Sequence, residues 1–328
     1  MVCRSNFAIW LSVLGVLIIS ACGGRTDDRV TVYVAADREI AEPVLREFEK
    51  STGITVSAVY DAEANKTSGL VNRLIAEAPR ARADLFWDNE TAQLTRLNDV
   101  GVIAHTSVDR NWEEFAARAR VLIVHPMEGA RQEEPTSIGA FTDPQWNGRA
   151  AIANPHFGST GMHFAALLSV WGEPRFRGWL RELRRNDVAV LPGNAQVKDA
   201  VAAGKYDFGL TDTDDVNEAL RDGKAVHLVV PDQGATEIGV LVIPNAIALV
   251  RGGPHAENAR KLMRYLLSPE VEAGLAKGDS VQIPIRNSVP GPSILPPLAT
   301  LRLMRVDYEQ VGKAYRRMLE LVDAEWQS

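Results

Sequence analysis

The chain has 328 residues, 46% of them hydrophobic and 24% charged, an ordinary globular composition. At roughly 100–200 residues per domain, that length predicts about two domains. A formal net charge of -6 excludes the basic footprint of a nucleic-acid-binding surface.

The N-terminus reads as an export signal. Arg4 precedes an apolar run at 7–19, shorter than the roughly 20 residues that a membrane-spanning helix needs. The run closes on Ile19-Ser20-Ala21-Cys22, which resembles a bacterial lipobox. Residues 1–21 would then be a lipoprotein signal peptide, Cys22 the lipidated first residue and 22–29 a polar tether. The mature protein would be anchored on the periplasmic or cell-surface side. Cys3 would leave with the signal, so Cys22 alone allows no internal disulfide.

Strands are predicted at 30–36, 54–60 and 83–87, alternating with helices that open at Asp37, Ser68 and Thr91. The first helix puts Ile40, Val44, Leu45 and Phe48 on one face and stops at Ser51-Thr52-Gly53. This alternation predicts βαβ units and a largely parallel sheet. A strand at 118–125 leaves the block, and 126–144 is polar and irregular. A second α/β block follows, with strands at 150–153, 188–191, 207–211 and 226–230. Helices at 160–171, 175–185, 195–203 and 216–221 lie between them. The apolar run 238–250, broken by Pro244-Asn245, has room for two strands that pass between the blocks. Helices at 256–267 and 269–277 come next, then a Pro-rich bridge and a terminal amphipathic helix at 301–321.

Polar groups gather where strands lead into helices. They are Asp37, Asp88-Asn89-Glu90, Ser159-Thr160-Gly161, Asn194 and the dense stretch Thr211-Asp212-Thr213-Asp214-Asp215. Each alone suits an N-cap, because Ser, Thr, Asp and Asn satisfy the free N–H groups of a first turn. Parallel strands also bring their carboxyl ends to one edge, where ligands collect. Glu90 is a poor cap, and the pair Asp214-Asp215 exceeds what one cap needs. The turn Gly158-Ser159-Thr160-Gly161 offers hydroxyls and a helix N-terminus to an anion. It has neither the G-x-S-x-G of a nucleophile elbow nor a P-loop lysine. The six histidines lack zinc-site spacing, and His156 and His163 read as surface or packing residues. Arg118 and Arg120 share one face of their strand. They either pair with a cleft carboxylate or end the strand in solvent.

The segments 30–56 (VTVYVAADREIAEPVLREFEKSTGITV), 83–90 (ADLFWDNE) and 207–217, with Trp146-Asn147-Gly148-Arg149, carry a family resemblance. They resemble the ferric-binding-protein group of extracellular solute-binding proteins, which serve ABC importers. The resemblance implies an α/β type 2 periplasmic-binding fold of two lobes joined by crossing strands. Lobe 1 would be 30–121 with 246–289; lobe 2 would be 122–245 with 290–328, the terminal helix packing back on it. It also implies a carrier rather than an enzyme, with an ABC permease as partner. A monomer without a resident cofactor is expected.

Ferric members hold iron through a His, a Glu and two adjacent tyrosines, with an anion at a helix start. Carried over by position, Asp37 falls where the His would be and Glu90 matches the Glu. Asp214 and Asp215 fall on the tyrosine pair, while Ser159, Thr160, Gly161 and Asn194 fall on the anion contacts. Neither phenolate is present. The resulting four-carboxylate set is nevertheless suited to a hard cation, iron included, with Arg118 and Arg120 in support. An organic cation or a zwitterion such as an aminophosphonate is the alternative cargo. A metal-dependent hydrolase is the rival from another class, and no sequence feature favours it.

Overall fold

The structure, a computed structural model, describes residues 28–61, 68–106, 111–126, 134–292 and 294–326. The signal-like segment and Cys22 lie outside the described residues. Among the described residues no helix is long and apolar enough to cross a membrane.

The first block follows the predicted alternation: β1 (Arg29–Val34), α1 (Arg38–Thr52), β2 (Thr55–Tyr60), α2 (Ser68–Glu77), β3 (Leu85–Asp88) and α3 (Thr91–Asp99). Strands β2, β1 and β3 are parallel neighbours in that order. Helix α1 ends at Gly53, whose φ of 72° needs the left-handed conformation that glycine adopts without Cβ strain. Val30, Val32 and Val34 face one apolar layer with Leu45 and Phe48 of α1. Tyr33 and Ala35 face the other with Leu70 and Leu74 of α2. That is the period-two alternation of a strand covered on both sides. Full burial of a side chain such as Phe48 contributes about 1.5–3 kcal/mol.

A two-residue strand, β4 (Ile103–Ala104), precedes β5 (Glu113–Val124). The second block holds β6 (Ala150–Ala153), α4 (Gly158–Trp171), α5 (Glu173–Arg185), β7 (Ala189–Leu191), α6 (Asn194–Ala202), β8 (Phe208–Asp212), α7 (Thr213–Arg221) and β9 (His227–Val229). Then come β10 (Val242–Val250), α8 (Ala256–Leu266), α9 (Pro269–Lys277) and α10 (Tyr308–Trp326). Strand order is β2-β1-β3-β10-β5-β8-β6-β7, with β4 beside β10 and β9 beside β5.

Two antiparallel strands, β5 and β10, join the parallel blocks. The first half of β5 pairs with β10, and from Arg120 onward it pairs with β8. The run 238–250 thus supplies one crossing strand, not two, beginning at Val242. Both crossing strands are irregular at the junction. The β5–β10 register shifts at Pro244/Asn245, and Ala116 has φ 45°. Proline has no N–H for the ladder, which accounts for a break there. The segment around α9 braces both irregular points. Fully buried Glu272 accepts a hydrogen bond from the Ala116 N–H at 2.9 Å, and Asn245 Nδ2 donates to Gln282 Oε1 at 2.9 Å.

Helix α10 begins seven residues later than its sequence pattern predicts, because 301–307 is drawn into other contacts. Leu303 forms a parallel bridge with Val240. Gly239 permits that approach: its φ is 88°, and a Cβ there would lie 2.6 Å from the Leu303 carbonyl carbon and 2.8 Å from Arg302 O. Gly239→Ala is therefore expected to destabilise the protein by about 2 kcal/mol or more, read as a lower urea midpoint with an unchanged slope. Once formed, α10 packs on α4 and α5 and also on α3 of the first block. Gly312 fits so closely there that a Cβ would sit 2.6 Å from Thr95 Oγ1.

Candidate functional site

The carboxyl ends of β3 and β8 and the N-termini of α3, α4, α6 and α7 place the predicted polar groups near the crossing strands. The stretch 211–215 resolves into three different roles. Asp212 ends β8 directly opposite Arg120 of β5 in the antiparallel register, so their side chains meet as a cross-strand pair. Arg120 Nη1 donates to Asp212 Oδ1 at 2.6 Å, and Arg118 Nε lies 3.0 Å from Oδ2. Asp215 turns back along its own helix and accepts from Thr211 Oγ1 at 2.6 Å and from the Asp212 N–H at 3.2 Å. That is the reach-back arm of a capping box. Asp214 does neither. It lines the cleft, and its Oδ1 is buried without a hydrogen-bond partner among the described residues.

The predicted anion contacts are already engaged by the chain. Ser159 Oγ donates to Asp212 Oδ2 at 2.7 Å, and Asn194 Nδ2 donates to the same oxygen at 3.0 Å. Arg120 Nη2 donates to Thr160 Oγ1 at 2.9 Å. Ser159, Thr160, Arg120 and Asp212 are all buried. Gly161 uses its N–H within the chain, donating to Phe157 O at 3.1 Å, and a Cβ there would meet Tyr315 Oη at 2.4 Å. Burial works against the charge of Asp212, but Arg120 and Arg118 outweigh it and hold its carboxyl below the usual range.

A cleft of about 1030 Å³ opens between the N-terminal half of α1, helix α7 and the α8–α9 region. Asp37 lines it from one side and Asp214 and Asp215 from the other. Its walls add Glu39, Glu47 and Glu218 among further acids, with Arg221 the one basic residue among the described residues that line it. Such a lining attracts cations from solution. Glu90 does not line the cleft. It lies behind, 2% exposed, with Oε1 3.7 Å from where a Gly158 Cβ would stand.

Arg118 ties these groups together. It is 7% exposed and donates from Nη2 to Asn89 O at 3.2 Å. Burial opposes its charge, but Asp212, Asp214, Glu90 and Asp37 together outweigh that and raise its pKa. Of the four proposed ligands, Asp37, Glu90 and Asp214 thus all act electrostatically on one guanidinium, while Asp215 is turned toward its helix. Burial, with Asp215 and Asp212 beside it, pushes the Asp214 carboxyl well above the usual range. Asp215 is raised to about 6 by burial and by Asp212. One carboxylate oxygen from each of Asp212, Asp214 and Asp215 lies within 4.8 Å of the others.

The family model described as bacterial extracellular solute-binding protein matches residues 30–278. The chain belongs to this family. As an extracellular solute-binding protein it is a carrier, not an enzyme. It is 24% identical over 314 residues to iron uptake protein A1 of Synechocystis sp., covering 85% of this chain and 84% of that one. It is 22% identical over 298 residues to a putative 2-aminoethylphosphonate-binding periplasmic protein of Salmonella typhimurium, covering 85% of each. Iron-bound HitA from Pseudomonas aeruginosa matches with a TM-score of 0.80 at 22% identity, covering 90% of this chain and 99% of that one. The fold of this solute-binding protein is accordingly the two-lobed periplasmic-binding type, its lobes joined by β5 and β10.

Two residues of the site escape sequence reasoning. Asp212 was in view but unassigned; the signal for it is the need of Arg118 and Arg120 for a buried acid. His163 takes the packing alternative of its reading: it is 1% exposed, and burial and Arg120 lower its pKa to about 3, leaving a neutral imidazole. Tyr315 reaches Gly161 from α10, a contact that no local pattern announces.

Proposed function

We propose that this solute-binding protein captures a hard metal cation, iron foremost, in its interlobe cleft and delivers it to an ABC permease in the inner membrane. Lobe 1 is 30–121 with 246–289, and lobe 2 is 122–245 with 290–328. Cys22 tethers the mature monomer by its lipid. Asp37 of lobe 1 and Asp214 of lobe 2 supply oxygen ligands from the cleft walls, and Glu90 of lobe 1, set behind the wall, turns in to join them on closure, with Asp215 reserved for the cap of α7. The observation that carries this reading is Asp214, a cleft carboxyl whose buried Oδ1 accepts nothing from the described residues. Carboxylates that raise one another's pKa bind a cation in place of protons. Lobe closure about β5 and β10 follows if the closed form binds the cation more tightly.

A relative named for iron uptake supports the cargo. A relative named for 2-aminoethylphosphonate supports the zwitterion alternative, but the groups that would receive its phosphonate are occupied by Asp212. Native mass spectrometry with elemental analysis of protein purified without chelators tests the choice. One bound metal ion per chain is expected; an organic mass with no metal would reject the proposal.

Proton competition gives a further expectation. Asp214 lies above the usual carboxylate range in the empty protein, and Asp215 near it is at about 6. Cation affinity should therefore fall as pH drops from about 7 to about 5, with protons released on binding. Titrations in buffers of different ionisation enthalpy check this. Affinity independent of pH would contradict it.

A further inference from the structure

The Asp212 carboxylate sits in a nest built for an oxyanion. Two guanidiniums, the Ser159 hydroxyl and the Asn194 amide all converge on it, at 2.6, 3.0, 2.7 and 3.0 Å. Ser159 belongs to the first turn of α4 and Asn194 to that of α6, so two helix dipoles add positive potential. Asp212 is 4% exposed and Arg120 fully buried. Two positive charges meet one negative charge in this nest. The surplus falls on Arg118, whose Nε faces Asp212 and whose Nη2 donates to Asn89 O beside Glu90.

We infer that Asp212 is a tethered anion: it occupies the oxyanion position beside the cation site, so the protein takes its cation without any free co-anion. The inference rests on the cation-carrier reading and adds a selection rule to it. A carboxylate on the same backbone competes as an intramolecular group, with an effective concentration in the millimolar range or above. It also cancels one of the nest's two positive charges, which a phosphate or bicarbonate would otherwise neutralise. The donors aimed at the oxyanion position are committed to Asp212, so a phosphonate or phosphate cargo finds them occupied. Ordinary structural ion pairs differ in one respect. Here the acid is fastened to three separate elements, β5, α4 and α6, at the edge where the proposed ligands meet.

Asp212→Ser tests this by emptying the nest while leaving Arg118, Arg120, Ser159 and Asn194 in place. Inorganic phosphate is titrated calorimetrically into the metal-free wild type and variant. Separately, both are loaded from ferric nitrilotriacetate with and without phosphate, and bound iron and phosphorus are counted. The wild type should bind no phosphate and should carry iron without phosphorus in either condition. The variant should bind phosphate saturably and hold iron at least about tenfold more tightly when phosphate is supplied, taking up both in equal amounts. Phosphorus accompanying iron in the wild type would overturn the inference. So would a folded variant, verified by circular dichroism, that ignores phosphate. If Asp212→Ser does not fold, the isosteric Asp212→Asn is used for the same titration, and the wild-type phosphorus count decides by itself. A wild type that takes no iron at all instead rejects the iron-cargo reading, and the phosphate titration still decides whether the nest is an oxyanion site.

Discussion

Asp214→Asn is expected to weaken cation binding by about a hundredfold or more while making the empty protein more stable at neutral pH. The first effect follows from charge. Removing one of the three proposed carboxylate ligands takes away an attraction of roughly 4 kcal/mol at 4 Å in a medium of effective dielectric near 20, and a hundredfold is about 2.7 kcal/mol. The second follows from linkage. The Asp214 carboxyl is raised in the folded protein by burial, Asp215 and Asp212. A raised acid contributes stability that is complete below its unfolded pKa near 4 and is lost as pH rises through the folded value. At pH 7 the wild type therefore carries a penalty that an amide does not. Thermal melts of the empty proteins at pH 5 and pH 7 should show the variant's advantage growing with pH. Equal melts at both values, or undiminished cation affinity, would remove Asp214 from the site.

Arg120→Met carries the largest expected cost in stability, about 3–5 kcal/mol. Its guanidinium is fully buried and bonds to Asp212, Ser159 and Thr160 at 2.6, 2.8 and 2.9 Å. Removing it leaves an acid and two hydroxyls in the interior with fewer donors, and Arg118 can satisfy only part of the Asp212 carboxylate. The loss should be recovered in part by Arg120→Met combined with Asp212→Leu, since exchanging a whole buried pair for apolar groups costs less than orphaning one partner. Denaturant unfolding of the two single variants and the double variant measures this coupling. Additive losses would mean that the pair is not the unit holding β5 to β8.

The difference between Asp212 and Asp214 shows where sequence reasoning stops. The stretch 211–215 was legible as a strand end leading into a helix, and β8 and α7 meet there. Assigning its three acids needed the register of β5 against β8, which sets Arg120 opposite Asp212. Register depends on residues about 90 positions apart, and no local pattern encodes it. Local signals did better elsewhere. Gly53 stops α1, Ala150–Ala153 forms a strand at its predicted bounds, and Pro269–Lys277 forms α9, its N-terminus capped by Ser268. The start of β5 was missed for the opposite reason. Its first half is ordered by pairing with β10, and Ala116 at φ 45° breaks the alternation that would have announced it. The family resemblance supplied what patterns could not, the idea that 37, 90, 214 and 215 belong to one cleft. The structure lines the cleft with Asp37, Asp214 and Asp215, leaves Glu90 behind its wall, turns Asp215 to the helix cap and seats Asp212 among the proposed anion contacts.

The central claim is that a cation is held between the lobes by Asp37, Glu90 and Asp214. Crystals of the protein loaded with Fe(III), measured on both sides of the iron absorption edge, locate the ion directly. An anomalous peak within about 2.0–2.6 Å of oxygens from Glu90 and Asp214, with Asp212 still bound to Arg120, is the predicted result. A peak outside the cleft, or an organic ligand filling it with no anomalous signal, would contradict the account.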